Sequence, residues 1–507
     1  MWGSHSGSSL LQQYQNIVDA FGIKDKVIRL VTDSSSNNIS AFKNLVIPGF
    51  EQYFLKDDDD EITDEDHNVV YNDDMWSDEY DELENISSTT ASATTDETIE
   101  EDLIRDSFRN LLNNDEVFRI PCFAHCIQLV VKDGLNQTKS ILSSLEKVSA
   151  IAKLSHTCTK FAEKLELMKL SIPRAVITRW NSQFLLVERI LAIPSIELNE
   201  VLIQLKYKNL CLNSRDYAVL NEFIALLSLL AEVTTKTQQE NSPSISLVAP
   251  SILAIYFDLK NEKNNVQYTT SLCDALLSSL LSRFGGLLET FEINLNETGV
   301  EFKINNKFYD LYKDPVFIFS PFLDGMFKLN WINDSPLPDA VKERICNKIK
   351  QLILDQSVLI EYVHCNSVPI DTQPVQEKQQ EQQPQQMQSG QAPSTPGFKR
   401  KCLFSSMQND SKLRKNNPVD QYKLVPHEIA RYLNSNDSDS MMLLRSTASV
   451  LYKTLSKLAV KYLCIPVTSA SVERIFSQSG FIFRSHRARM SRKTLQQLTL
   501  LKCNSHI

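Results

Sequence analysis

The chain has 507 residues, 42% of them hydrophobic, with only 12 glycines and a formal net charge of −9. That length accommodates two or three domains, and the composition favours helix over strand. The sequence has no run of 18 or more apolar residues and no basic region followed by an apolar core near its start, which argues against a membrane span and a secretory signal.

Residues 10–20 place Leu10, Leu11, Tyr14, Ile17 and Val18 near helical spacing. "KVIRLVTD", residues 26–33, is a short β-branched run that predicts a strand delivering Asp33 at its end. "SSSNNISAFKNLV" then offers Ser and Asn caps for a second helix. Residues 57–104 hold 20 Asp or Glu and no Lys or Arg, and include a Ser/Thr-rich tail, "SSTTASATTDET". Such a composition cannot bury enough apolar surface to fold alone, and predicts a disordered acidic insertion. It is read as a solvating loop, with an intramolecular mimic of nucleic acid as the sharper alternative. Without that tract the charge is +11, a balance that allows a nucleic-acid partner.

"FRIPCFAHCIQLVVKDGL", residues 118–135, predicts an extended piece leading into an apolar helix, and residues 141–168 continue helically. "IPRAVITRWNSQFLLVERIL", residues 172–191, predicts a helix from about Asn181. Residues 192–365 read as mostly helical, interrupted by "FIFSPFLDGMFKLNW" at 317–331. A Gln/Pro-rich stretch at 373–395 reads as a flexible linker. Two basic clusters follow in "KRKCLFSSMQNDSKLRK", residues 399–415, and resemble a bipartite nuclear-import signal. The ten cysteines show no disulfide-framework spacing and read as reduced thiols of cytosol or nucleus.

From about 420 the chain is helical again. Residues 464–466 break one helix, and Thr468 or Ser469 can cap the next. That helix, "SASVERIFSQSG", mixes small and apolar residues as if built for burial, yet carries Glu473. A buried carboxylate is costly unless it is paired or binds a metal.

Five segments in order carry a resemblance to the hAT superfamily of DNA transposases. They are "LVTDSSSNN", "PCFAHCIQLVVKD", "TRWNSQFLLVERIL", "FLDGMFKLNW" (with Gly325 where the family usually has Pro) and "SASVERIFSQSG". The resemblance implies a helix-rich α/β fold: an RNase H-like core, incomplete at its N-terminus and interrupted by a large all-α insertion. The expected division is a partial core at 1–190, a helical insertion at 191–370, a disordered Gln/Pro-rich and basic linker at 371–420, and a dimerisation region at 421–507 that completes the core. Asp33 and Glu473 match the second and third catalytic carboxylates, which in the family hold Mg²⁺ or Mn²⁺ for phosphodiester transfer. The first catalytic Asp has no counterpart, since Asp19 and Asp25 lie on no credible strand, and a BED-type zinc finger is also missing. The truncated form is therefore expected to bind no metal cofactor. Cys122 and His125 match the family's Cys-x-x-His pair. Trp180 matches a tryptophan that stacks near a flipped base, with Arg179 beside it for phosphate. Arg484, Arg487 and Arg489 form a candidate DNA strip, and Leu495, Leu498 and Leu501 a candidate dimerisation surface.

Each residue also has a plainer role. Asp33 can cap the helix after its strand, and Glu473 can pair with Arg474 or Arg487. Cys122 and His125 can be packed core rather than half a zinc site, and Trp180 can be core alone. The expectation is a hAT-transposase-derived nuclear protein that self-associates through its C-terminal region, retains weak DNA affinity, touches no membrane and does not transpose. The competing readings are an active cut-and-paste transposase whose zinc finger and first Asp lie upstream, and a domesticated dimeric transcription-regulating module that binds no DNA.

Overall fold

The computed structural model describes residues 6–23, 26–33, 36–42, 118–167, 172, 180–239, 242–305, 308–366, 401, 403, 424–483 and 490–503. The acidic tract at 57–104 lies outside them, as does the 371–420 linker apart from Lys401 and Leu403.

Helix α1 (Gly7–Phe21) is capped by Ser6, whose hydroxyl accepts from the Ser9 amide, and ends at Gly22 with φ 58°. That left-handed geometry costs glycine nothing. Strand β1 (Arg29–Thr32) follows, then α2 (Ser36–Ala41), which packs against α1. Strand β2 (Phe118–Pro121) pairs with β1 in parallel, Arg29 opposite Phe118 and Thr32 opposite Pro121. Among the described residues these are the two strands of the sheet. Both ends of β1 are tied down. Buried Arg29 reaches Asp314 at 3.5 Å. At the other end, Arg119 of β2 donates to the Thr32 hydroxyl at 2.5 Å and the Asp33 carbonyl at 2.6 Å.

Helices α3 (Phe123–Asn136), α4 (Lys139–Thr157), α5 (Thr159–Leu167), α6 (Trp180–Leu191), α7 (Ser195–Gln204), α8 (Ser214–Thr237), α9 (Val248–Glu262) and α10 (Thr270–Glu289) build the bulk of the core. The α3–α10 contact is broad, and Gly134 allows it, because a Cβ there would overlap the Leu276 side chain. Two acids fix helix starts, one locally and one at a distance. Asp216 closes a capping box with Asn213 while binding Lys147 at 2.7 Å and Ser144 at 2.8 Å. Glu222 accepts from the amides of Gln267, Tyr268 and Thr269 just before α10.

The segment expected to interrupt the helices starts as one, α11 (Val316–Leu323), which carries Pro321 inside it. A turn built on Asp324 follows, then α12 (Asn330–Asn333) and the long α13 (Asp339–Asn366). Helices α14 (Leu424–Leu433), α15 (Ala448–Leu451), α16 (Lys453–Leu463), α17 (Ala470–Ile482) and α18 (Arg492–Cys503) complete the chain. One hydrophobic cluster runs from Ile120 to Val467 and includes Tyr432, Leu455 and Tyr462. The C-terminal helices up to α16 are thus part of the same core as α3 and α10.

Helices α8 and α10 are long and apolar enough to cross a membrane by length and composition. Their apolar windows are mostly buried against neighbouring helices, so the core accounts for that composition. Eight cysteines among the described residues, Cys122 and Cys126 included, are free thiols.

Candidate functional site

The site forms where the C-terminal ends of β1 and β2 meet the segment leading into α17. Parallel strands in register deliver Asp33 and Cys122 side by side, and the Cys122 amide extends the ladder by donating to the Thr32 carbonyl at 2.8 Å. Residues 465–469 cross this edge. The Phe123 amide donates to the Val467 carbonyl at 2.7 Å, and the Val467 amide donates to the Ser244 hydroxyl at 3.1 Å. In this way a segment more than 300 positions downstream becomes a neighbour of the sheet.

Asp33 is half-buried, and its Oδ1 accepts from Asn38 Nδ2 at 2.6 Å. The contact joins the strand end to α2 and engages one of the two oxygens that a metal would use. Glu473 sits in the first turn of α17 and accepts from the Ser469 hydroxyl at 2.8 Å. Contrary to the composition of its segment, α17 buries Ala470 and leaves Glu473 exposed. Glu473 therefore keeps its hydration and needs no partner to offset burial. Arg474, one of the two candidate ion partners, donates to the Gln238 carbonyl at 3.0 Å and to the Ser471 hydroxyl at 3.3 Å. Thr468 caps the helix through the Ala470 amide at 3.1 Å.

His125 lies within electrostatic range of both carboxylates. It lies on the first turn of α3, and burial lowers its pKa below the ordinary value of 6.5. Asp33 and Glu473 both oppose that shift electrostatically, while Arg283 and Lys132 reinforce it. Both acids thus act on one imidazole although they stand at opposite ends of the chain. Cys122 is buried as the residue before α3. Its sulfur accepts from the Ser469 amide at 3.3 Å and lies 3.4 Å from the Ser469 hydroxyl. The Cys-x-x-His pair therefore has packed and hydrogen-bonded surroundings. One turn further, burial pushes the Cys126 thiol up to about 12.

Hard oxygen ligands such as Asp33 and Glu473 suit Mg²⁺ or Mn²⁺. Among the described residues, however, no three His, Cys, Asp or Glu stand close enough to hold an ion together. The described donors do not fit a closed metal centre.

The other sequence candidates fall in three groups. Trp180 starts α6 and is 6% exposed, so its ring lies in the core rather than on an open surface. Leu495 is half-buried, whereas Leu498 and Leu501 are exposed on α18. Arg179, Arg484, Arg487 and Arg489 lie outside the described residues. Two structurally important acids escaped notice in the sequence. Asp324 is buried and accepts from Ser246 at 2.7 Å and from the Met326 amide at 2.9 Å. Glu428 accepts from the Thr454 and Leu455 amides that open α16. Asp324 lies within the segment "FLDGMFKLNW", but its Ser246 partner is distant, and Glu428 has no local pattern that marks it because its partners lie 26 and 27 positions on.

Two family models match the chain. The hAT family C-terminal dimerisation region matches residues 420–505, and the ZBED1 RNase-like helical domain matches residues 120–221. No curated protein matches it. The first match covers α14 to α18, and the second runs from β2 into α8. Placed as they are along the chain, the two matches support a hAT-transposase-derived, ZBED-like protein with a hAT dimerisation region.

Proposed function

We propose that this chain acts as a self-associating, nuclear, DNA-binding protein whose β1, β2 and α17 retain the geometry of an RNase H-like core without transposition. The observation that carries the self-association is the surface of α17 and α18. The two helices pack on each other and present Phe476 (65% exposed) and Leu501 (68%), together with Val472, Ile475 and Leu498. A cluster of large apolar side chains rarely stays open to water, and it falls within the matched dimerisation region. The +11 balance outside the acidic tract supports a polyanionic partner. The paired basic clusters at 399–415 support nuclear import.

The test is retention of the full chain on DNA across a salt gradient. The expected result is retention at low salt that falls steeply as salt rises. Phe476→Asp/Leu501→Asp should elute earlier, because a single chain loses the gain from two linked contacts. Elution of the wild type at the lowest salt would remove DNA from this reading.

A second reading, divalent-metal-dependent phosphodiester cleavage, is favoured by the placement of Asp33 at the end of β1, beside the segment that leads into the helix of Glu473. It predicts Mn²⁺-dependent nicking of duplex DNA that disappears in Asp33→Asn and Glu473→Gln. Two carboxylates hold such an ion weakly, which is why binding rather than cleavage is the principal proposal.

A further inference from the structure

Lys401 and Leu403 belong to the stretch that the sequence marks as linker and import-type signal, yet both are seated on the helical body. Lys401 Nζ lies 2.8 Å from Asp258 Oδ1 and 2.8 Å from Glu262 Oε1, acids one turn apart on α9. The Leu403 amide donates to Glu232 Oε2 of α8 at 2.6 Å, and its side chain is 1% exposed. The ion pairs are sheltered: the Lys401 side chain is 30% exposed, and those of Asp258 and Glu262 are 17% and 16%. Two carboxylates on one ammonium, a backbone hydrogen bond to a third and a fully covered leucine make a specific seat rather than a passing surface contact. The pattern it reads is Lys-x-Leu, in which the lysine gives charge and the leucine gives burial.

We propose that Glu232, Asp258 and Glu262 form a docking seat for a basic–apolar peptide. Its resident ligands are the chain's own Lys401 and Leu403, and docking withholds Lys401 from the first of the two basic clusters. While Lys401 is held by Asp258 and Glu262, the Lys399-Arg400-Lys401 run cannot be bound whole by an acidic receptor groove. Release of the strap presents it. The proposal does not depend on DNA binding or self-association.

The test is fluorescence anisotropy of a labelled synthetic peptide, residues 397–408, titrated with the full chain. A tethered segment competes at an effective concentration in the millimolar range, so the wild type should bind the peptide weakly, and Lys401→Glu/Leu403→Asp, which vacates the seat, about tenfold or more tightly. Adding Asp258→Lys/Glu262→Lys should abolish that gain. A peptide carrying Lys401→Glu should bind the Asp258→Lys/Glu262→Lys chain, which reports that the reversed seat still folds. Hydrogen exchange at the Leu403 amide of the unaltered chain gives a second readout, expected to be slow and to quicken in Lys401→Ala. Equal peptide binding by the wild type and the vacated chain, binding that survives seat reversal, or a Leu403 amide exchanging at the rate of unfolded chain would each overturn the proposal.

Discussion

The Ser469 amide donates to the Cys122 sulfur across 3.3 Å, and the Ser469 hydroxyl donates onward to Glu473 at 2.8 Å. The cysteine of the Cys-x-x-His pair thus holds the start of the helix that carries the acid. Cys122→Ala should leave the Ser469 amide without an acceptor and cost about 1–3 kcal/mol, whereas Cys122→Ser keeps an acceptor and should cost less. Urea unfolding gives the size of the effect, and hydrogen exchange at 469–473 locates it. Stoichiometric zinc lost from Cys122→Ser would show that the thiol is a ligand instead.

His125 makes a pH prediction. Burial holds its folded pKa below 6.5, so above 6.5 the folded and unfolded chains are both neutral at this position. As pH falls below 6.5 the unfolded chain takes the proton first, and stability declines until the folded imidazole also titrates. Asp33 and Glu473 raise the folded value, so Asp33→Asn and Glu473→Gln should each lower it further. An NMR titration of the His125 ring protons would follow this. Unchanged midpoints in both variants would mean that the two acids do not meet there.

Gly325 departs from the proline usual in the hAT family, and the fold supplies a reason. A Cβ at this position would overlap the Asp439 carbonyl oxygen and press on Met442 Cβ. The same turn places Lys328 Nζ on the Ser435 carbonyl at 2.6 Å and 5.0 Å from the centre of the Tyr432 ring. Gly325→Pro, although it restores the family residue, should therefore destabilise by about 1–3 kcal/mol through overpacking. A rise in Tm would contradict the close approach.

Glu428 is buried and accepts from the amides of Thr454 at 3.0 Å and Leu455 at 3.2 Å, in place of a local cap for α16. Glu428→Ala strands both donors and should cost about 1–3 kcal/mol. Glu428→Gln keeps one acceptor oxygen and should lose about half as much in the same urea titration.

Local order was legible in the sequence. "KVIRLVTD" ends at the observed strand Arg29–Thr32 with Asp33 beyond it, and "FRIPC" forms the second strand before α3. The break at 464–466 and the helix after it also match, since period and punctuation are local signals. What a helix faces was not legible. Small and apolar residues around Glu473 suggest burial, but α17 stands at the edge of the fold, where its apolar side chains stay exposed. Trp180, matched to a base-stacking residue, is covered by the core. Lys401 and Leu403 read as linker because Asp258 and Glu232, which hold them, lie more than 130 residues away. Pairings of that range are set by tertiary packing and leave no periodic trace.

The most direct measurement is the solution mass of the full chain by sedimentation equilibrium at micromolar concentration. Self-association through α17 and α18 predicts at least twice the single-chain 57.8 kDa, reduced to 57.8 kDa by Phe476→Asp/Leu501→Asp with secondary structure unchanged. A wild-type mass of 57.8 kDa, or an oligomer indifferent to those two substitutions, would contradict it.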